Sequence, residues 1–185
     1  MSLSSDELEI LETMLLNNNS IKAAQIAIEN NKELHVTMSH LTDLTDRGYV
    51  ISPKNENYTL TDEGKKILGI QPITKENAKS IMSYTPHDKA FNFHTNNNAS
   101  IHIHAHSLQD FANKISRVDL KTIELHIDNG DFEAWFKCLG DQELTKKTAV
   151  IKGKKIVGEQ LRLLFHNIIE QRCQELMKLT EQTTP

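Results

Sequence analysis

Cysteine is nearly absent. Cys138 and Cys173, the two in 185 residues, make neither a disulfide framework nor a zinc-ligand spacing and suit a reducing compartment. No apolar run approaches the roughly 18 residues that a membrane span requires, so no membrane partner is expected. The opening stretch MSLSSDELEI is acidic and lacks the apolar core of a secretory leader, which predicts a cytoplasmic protein. There is no Gly-rich phosphate loop, no Gly-x-Ser-x-Gly elbow and no Cys-x-x-Cys pair. Those gaps argue against an enzyme and leave no cofactor to expect. A surplus of positive charge is missing too. Residues 1–70 carry six basic and eleven acidic groups, a net of −5, while residues 71–185 carry fifteen and fourteen, a net of +1. DNA-binding domains usually show the reverse, because neutralising phosphates supplies much of their affinity.

What is present belongs to an ordinary globular protein: 38% hydrophobic and 25% charged residues, in a length that suits two compact domains. The Asn triplets at 17–19 and 96–98 argue against an extreme thermophile.

The most informative stretch runs from Leu34 to Leu68. Its first half reads as a helix, with Leu34, Met38, Leu41 and Leu44 on one apolar stripe and Gly48 as its left-handed stop. Two short β-runs follow, at residues 49–52 and 58–60, around a polar turn at 53–57. Thr61 then caps a short helix over 62–68. Upstream, Ser4-x-x-Glu7 is a capping box for a first helix with Leu8, Leu11, Met14 and Leu15 at helical spacing, and residues 21–28 read as a second, Ala-rich helix.

This is the order of a winged helix-turn-helix. The motifs Leu44-x-x-Arg47-Gly48-Tyr49-Val50 and Tyr58-Thr59-Leu60-Thr61-x-x-Gly64 resemble those of MarR-like and related archaeal and bacterial transcriptional regulators. The resemblance implies duplex DNA as partner. The apolar stripe leaves His35, Val36, Ser39, His40 and Asp43 facing outward. A docking face would then use His35, Val36, Ser39 and His40 in the major groove and Lys54, Lys65 and Lys66 on phosphates.

Residues 71–88 read as a linker bracketed by Pro72 and Pro86, with room for a turn or two of helix at 75–82, and residues 89–180 as a second, α+β domain. Residues 90–95 and 101–106 alternate with period two, which predicts a hairpin. Phe91, Phe93, Ile101 and Ile103 take its buried side, with His94 opposite His102. Ser107 caps a helix over 108–116 with Leu108, Phe111 and Ile115 inward. Residues 120–128 alternate as a third strand, with His126 outward. Asp131 is placed to cap a helix over 132–138 that Gly140 stops, and a short helix over 142–148 precedes a long one ending at Leu179. That last helix carries a stripe of Leu161, Leu164, Phe165, Ile168, Ile169, Cys173 and Leu176, broad enough to cover a sheet and to seat a second subunit. A homodimer is therefore expected.

The second half resembles an uncharacterised, largely archaeal domain family. Phe91-x-Phe93, Ser107-Leu108-x-x-Phe111, His126-x-x-x-Gly130-Asp131-Phe132-x-x-Trp135 and Leu161-Arg162 carry that resemblance. It implies architecture and little chemistry, and His102, His104 and His106 lie outside its pattern.

Three chemical readings compete with bland ones. His102, His104 and His106 fall on one strand face about 6.5–7 Å apart, and His94 joins that face. As metal candidates they compete with a solvated histidine ladder, and no bound metal is expected because no carboxylate or cysteine completes the hairpin site. His126 and Asp131 read as a base with its orienting carboxylate, or as a buried His and a helix cap. Arg162 reads as the anchor of a functional anion site, or as an ion-pair partner of Asp131 or Glu133. The integrated expectation is an α+β chain: an N-terminal winged helix-turn-helix, then a small antiparallel sheet packed on helices with a long C-terminal helix. Its function is DNA-binding regulation, with sensing, dimerisation or partner binding in the second domain. The competitor is a protein-interaction adaptor whose acidic winged helix touches no DNA.

Overall fold

A computed structural model describes residues 3–52, 57–95 and 99–181. It is mixed α+β and divides into two compact units, residues 1–72 and 73–185. Among the described residues there are ten helices and two small antiparallel sheets.

In the first unit, α1 (Ser5–Leu16) starts at a reciprocal capping box. Ser4 Oγ accepts from Glu7 N at 3.1 Å, and the Glu7 carboxylate accepts from Ser4 N at 2.6 Å. Strand β1 (Ser20–Lys22) leads into α2 (Ala23–Glu29) and α3 (Leu34–Asp46). Past α3, Gly48 at φ +75° closes a Schellman turn, its N–H on Thr45 O and Tyr49 N–H on Leu44 O, both at 2.9 Å. Strands β2 (Val50–Ile51) and β3 (Asn57–Leu60) complete a sheet ordered β1-β3-β2, and Thr61 caps α4 (Asp62–Ile67). This is winged helix-turn-helix topology around an aliphatic core that includes Ile10, Leu11, Met14, Ile26, Leu41 and Leu44.

Two details depart from expectation. Ile21 is in a strand, paired with Tyr58, so the second helix begins at Ala23. The buried stripe of α3 is Thr37, Leu41 and Leu44, while Leu34 and Met38 are 50% and 39% exposed. Thr37 wins the inward place because it lies four residues before Leu41 and its hydroxyl is satisfied by Glu33 O at 3.2 Å.

The second unit begins earlier than expected. Residues 75–82 form α5 (Lys75–Met82), which packs against α10 (Gly158–Glu181) through buried Ala78 and Ile81. This segment is part of the domain and not a linker. Strands β4 (Phe91–His94) and β5 (Ser100–Ala105) form the hairpin, and α6 (Leu108–Ile115) starts at its Ser107 cap as anticipated.

The stretch expected as a third strand is a helix, α7 (Leu120–Asn129). Asp119 caps it and Gly130, at φ +78°, ends it. Its buried residues are Thr122, Ile123, His126 and Ile127, at helical spacing. Helices α8 (Asp131–Leu139) and α9 (Gln142–Gly153) complete the order, α9 running past the expected stop at 148. The core is aromatic: all six phenylalanines of the chain and its single tryptophan belong to this unit, in mutual contact.

Hairpin register also differs. Asn92 pairs with His104, but His94 pairs with Ser100, so extra β5 residues bulge opposite Phe93. His102 sits in that bulge, exposed, in the left-handed region at φ +57°. His94 therefore does not face His102. Phe91, Phe93 and Ala105 are buried, whereas Ile101 and Ile103 are only half-buried.

Candidate functional site

The histidines expected as one ladder separate: His94 joins one group, His104 and His106 another, and His102 stays exposed in the bulge. His94, at the end of β4, turns toward α7 and α8 and meets His126 and Asp131. His126 is fully buried, edge-on to Phe91 at 5.0 Å between ring centroids and tilted against Phe132 at 5.2 Å. Its Nδ1 lies 2.7 Å from Asp131 Oδ2, and its Nε2 lies 3.2 Å from the backbone N of His94. The His94 amide can only donate, so Nε2 accepts, and Nδ1 carries the proton that goes to Asp131. The tautomer is fixed by its partners and the ring is neutral. Burial pushes His126 below the ordinary histidine range, against the pull of the Asp131 hydrogen bond and with the help of a repelling His94.

Asp131 occupies the first turn of α8, where helix polarity favours a carboxylate. It does not cap α8: the N-cap is Gly130, without a side-chain cap bond. The expected pairing of His126 with Asp131 thus exists, while the expected cap does not. His94 Nε2 stands 3.8 Å from the same Asp131 oxygen.

Ligand atoms of His94, His126 and Asp131 lie within 4.8 Å of one another, which by distance alone suits a cation. The hydrogen bonding does not. With Nε2 accepting from a backbone N–H, a metal on Nδ1 would leave the imidazole no proton at all. While strand β4 is seated, that bond occupies Nε2, so His126 in this arrangement does not take a substrate's proton as a general base.

Arg162 is elsewhere. Its guanidinium donates to the backbone oxygens of Val118 at 2.6 Å and Ser116 at 3.2 Å, past the end of α6, and to Glu159 at 3.0 Å. It satisfies helix-end carbonyls and meets neither Asp131 nor Glu133.

The second histidine group was half foreseen. His104 lies on β5 and His106 just past its end, and His87, from the segment after α5, packs against both at 4.8 and 5.8 Å. Tyr84 stacks flat on His106 at 5.0 Å. His106 Nδ1 meets Thr85 O at 3.0 Å, and Thr85 N returns a bond to His106 O at 2.6 Å. Lys114 donates to His104 O and, at 2.7 Å, to Asp110. Burial, with His87, His106, His102 and Lys114 around it, holds His104 below the ordinary range. No sequence signal joins His87 to this group, because the contact depends on the fold of the segment before β4.

Sequence reading also missed a buried ionic network. Asp141, Glu143, Lys147 and Arg172 are all nearly inaccessible. Arg172 binds Asp141 at 2.8 Å and Glu143 at 3.2 Å, and Lys147 faces Glu143 at 2.9 Å. Its one visible trace is that Arg172 falls on the buried stripe of α10, among Ile168, Ile169 and Leu176.

On α3, His35 and Ser39 are exposed, and Val36 and His40 are half-buried. His35 stands 3.1 Å from the Glu33 carboxylate and His40 3.6 Å from Asp6. Three of the domain's cations are engaged internally: Lys32 with Asp6 and Glu9, Arg47 with Glu7, and Lys66 with Glu63. Lys65 is half-buried on α4, and Lys54 lies outside the described residues.

Comparison with protein-family models, curated proteins and solved structures returned no match to this chain. No helix among the described residues is long and apolar enough to cross a membrane.

Proposed function

We propose that the chain is a DNA-binding regulator: the first unit reads duplex DNA through α3, and the second senses a signal and dimerises. The observation that carries the reading is the element order with sheet order β1-β3-β2, combined with a third helix whose side bearing His35, Ser39 and Asp43 is exposed. Few cations accompany that helix, so affinity rests on two copies acting together. The α10 stripe expected to seat a second subunit is largely buried within the one chain, so a second copy would meet the two exposed apolar side chains of this helix, Leu163 at 62% and Met177 at 39%.

Fluorescence anisotropy with a mixed-sequence duplex tests this. Binding should weaken with salt at a slope of only about −3 to −5 per dimer, shallower than for strongly basic repressors. The double variant Lys54→Glu with Lys66→Glu should abolish it while the thermal melt is retained. Full binding by that variant, or a sedimenting species of 21.1 kDa at tens-of-micromolar concentration, would remove the docking face or the dimer respectively.

A second reading has its own support. Lys32, Arg47 and Lys66 are already paired with carboxylates, the unit's net charge is −5, and Leu34 and Met38 are exposed on α3. An acidic surface with isolated apolar side chains suits a protein partner better than phosphate. Absence of any duplex binding at the lowest salt would select it.

A further inference from the structure

A two-stranded hairpin is marginally stable by itself and needs anchors from the rest of its domain. In β4–β5 those anchors are concentrated at histidines. Beyond Phe91, Phe93 and Ala105, the strands are held by His94 N–H on His126 Nε2, by the double exchange between His106 and Thr85, and by Lys114 on His104 O. The first of these depends on one lone pair.

We propose that β4–β5 is an acid-released element: protonation of His126 at Nε2 removes the acceptor for the His94 amide and frees the strand edge. The proton comes from solvent and adds to Nε2, and no bond is made or broken beyond that. Two N–H groups then face each other across what was a 3.2 Å hydrogen bond, beside the packed rings of Phe91, Phe93 and Phe132. Asp131 stays bound to Nδ1 and balances the new charge, so the imidazolium survives and the strand gives way.

Burial of the ring sets the direction of the response, and the charged groups around it adjust it. Asp131 from α8 favours the charged ring, and His94 from β4 opposes it. On α7 itself, Glu124 is engaged by Gly158 N at 2.9 Å and Asp128 is exposed. From α9, Lys152 Nζ approaches the Gly130 turn, 3.8 Å from where a β-carbon would stand. Burial joins His94 in opposing charge, so release belongs on the acid side of ordinary histidine titration. The inference draws its meaning from the sensing role proposed for the second unit. Hairpin release is observed without DNA, so the failure of one is separable from the failure of the other.

The experiment is an NMR pH titration of the full chain, following the His94 amide and the ring nitrogens of His126. Between about pH 7.5 and pH 5, exchange protection of the His94 amide, corrected for the intrinsic pH effect, should fall by about tenfold or more. The His126 ring should titrate with the same midpoint. His94→Gln keeps the backbone N–H but removes the opposing charge, and should raise that midpoint; Asp131→Asn should lower it. His87→Gln with His104→Gln should leave it in place. A hairpin unchanged to pH 5, a midpoint indifferent to both His94→Gln and Asp131→Asn, or a transition lost with the His87 and His104 substitutions would overturn the proposal. So would a stoichiometric zinc ion held at pH 7.5 and lost in His126→Gln, which would put a cation where we put a proton.

Discussion

His126 Nδ1 and Asp131 Oδ2 are 2.7 Å apart across the Gly130 turn that joins two helices. The histidine closes α7 and the aspartate opens α8, the end of a helix whose polarity suits a carboxylate. The left-handed Gly130, at φ +78°, reverses the chain tightly enough for residues five apart to bond. The motif His-x-x-x-Gly-Asp is thereby given a local mechanical reason.

Stability should follow pH accordingly. His126 is held below its ordinary range when folded, so the unfolded chain binds the proton more readily and stability rises with pH through that window. The loss begins as pH falls below about 6.5, the unfolded value, and continues down to the lowered folded value. Thermal melts of the chain should therefore fall between neutral pH and pH 5 more steeply than those of His126→Gln. Asp131→Ala, which strands the buried Nδ1 proton, should cost about 1–3 kcal/mol at neutral pH.

Gly64 supplies an independent prediction. A β-carbon there would lie 2.3 Å from Tyr49 O and 2.6 Å from Leu60 Cδ1, and the first of these is backbone. The Tyr49 carbonyl also accepts the Thr61 amide at 3.0 Å, so it cannot retreat without loosening the β2–β3 pair. Gly64→Ala should destabilise the first unit by about 1–3 kcal/mol, of the order of core overpacking, despite alanine's better helix propensity. A melt equal to or above that of the parent would show that the turn yields.

The sequence was most legible where local rules act alone. Ser4 and Glu7, Thr61, Ser107, Gly48 and Gly140 all take the capping roles read for them. It was least legible where a polar residue is buried. Taking His126 as surface turned Ile123, Leu125 and Ile127 into a strand alternation and hid the helical set Thr122, Ile123, His126 and Ile127. The β5 bulge at His102 broke the register on which a four-histidine face depended. The meeting of His94 with His126 joins residues 32 apart and has no local signature.

The two thiols should differ sharply. Cys138 is exposed on α8, while Cys173 is buried on α10. Burial, with Glu170 and Asp141 nearby, pushes the Cys173 thiol up to about 12. A thiol kept protonated and inaccessible is inert. Titration with a disulfide reagent near neutral pH should count one reactive thiol in the native protein and two after unfolding. Cys138→Ser should remove the fast one.

The network around Arg172 offers the largest single effect. Asp141 both caps α9, accepting Leu144 N at 3.0 Å, and receives Arg172 Nε at 2.8 Å, so the guanidinium ties the start of α9 to the middle of α10. Glu143 is shared between Arg172 and Lys147, which makes four buried charges, two of each sign, mutually dependent. Removing one cation leaves a carboxylate uncompensated away from water, a more severe loss than that of the pair itself. Arg172→Met should therefore cost about 3–5 kcal/mol, although methionine preserves much of the packed stem. Replacing Glu143 as well should restore part of that loss, because the second substitution removes the stranded charge. A double-mutant cycle on chemical denaturation reads both: strong coupling between residues 172 and 143 is expected, and simple additivity would show that the four charges act as separate contacts.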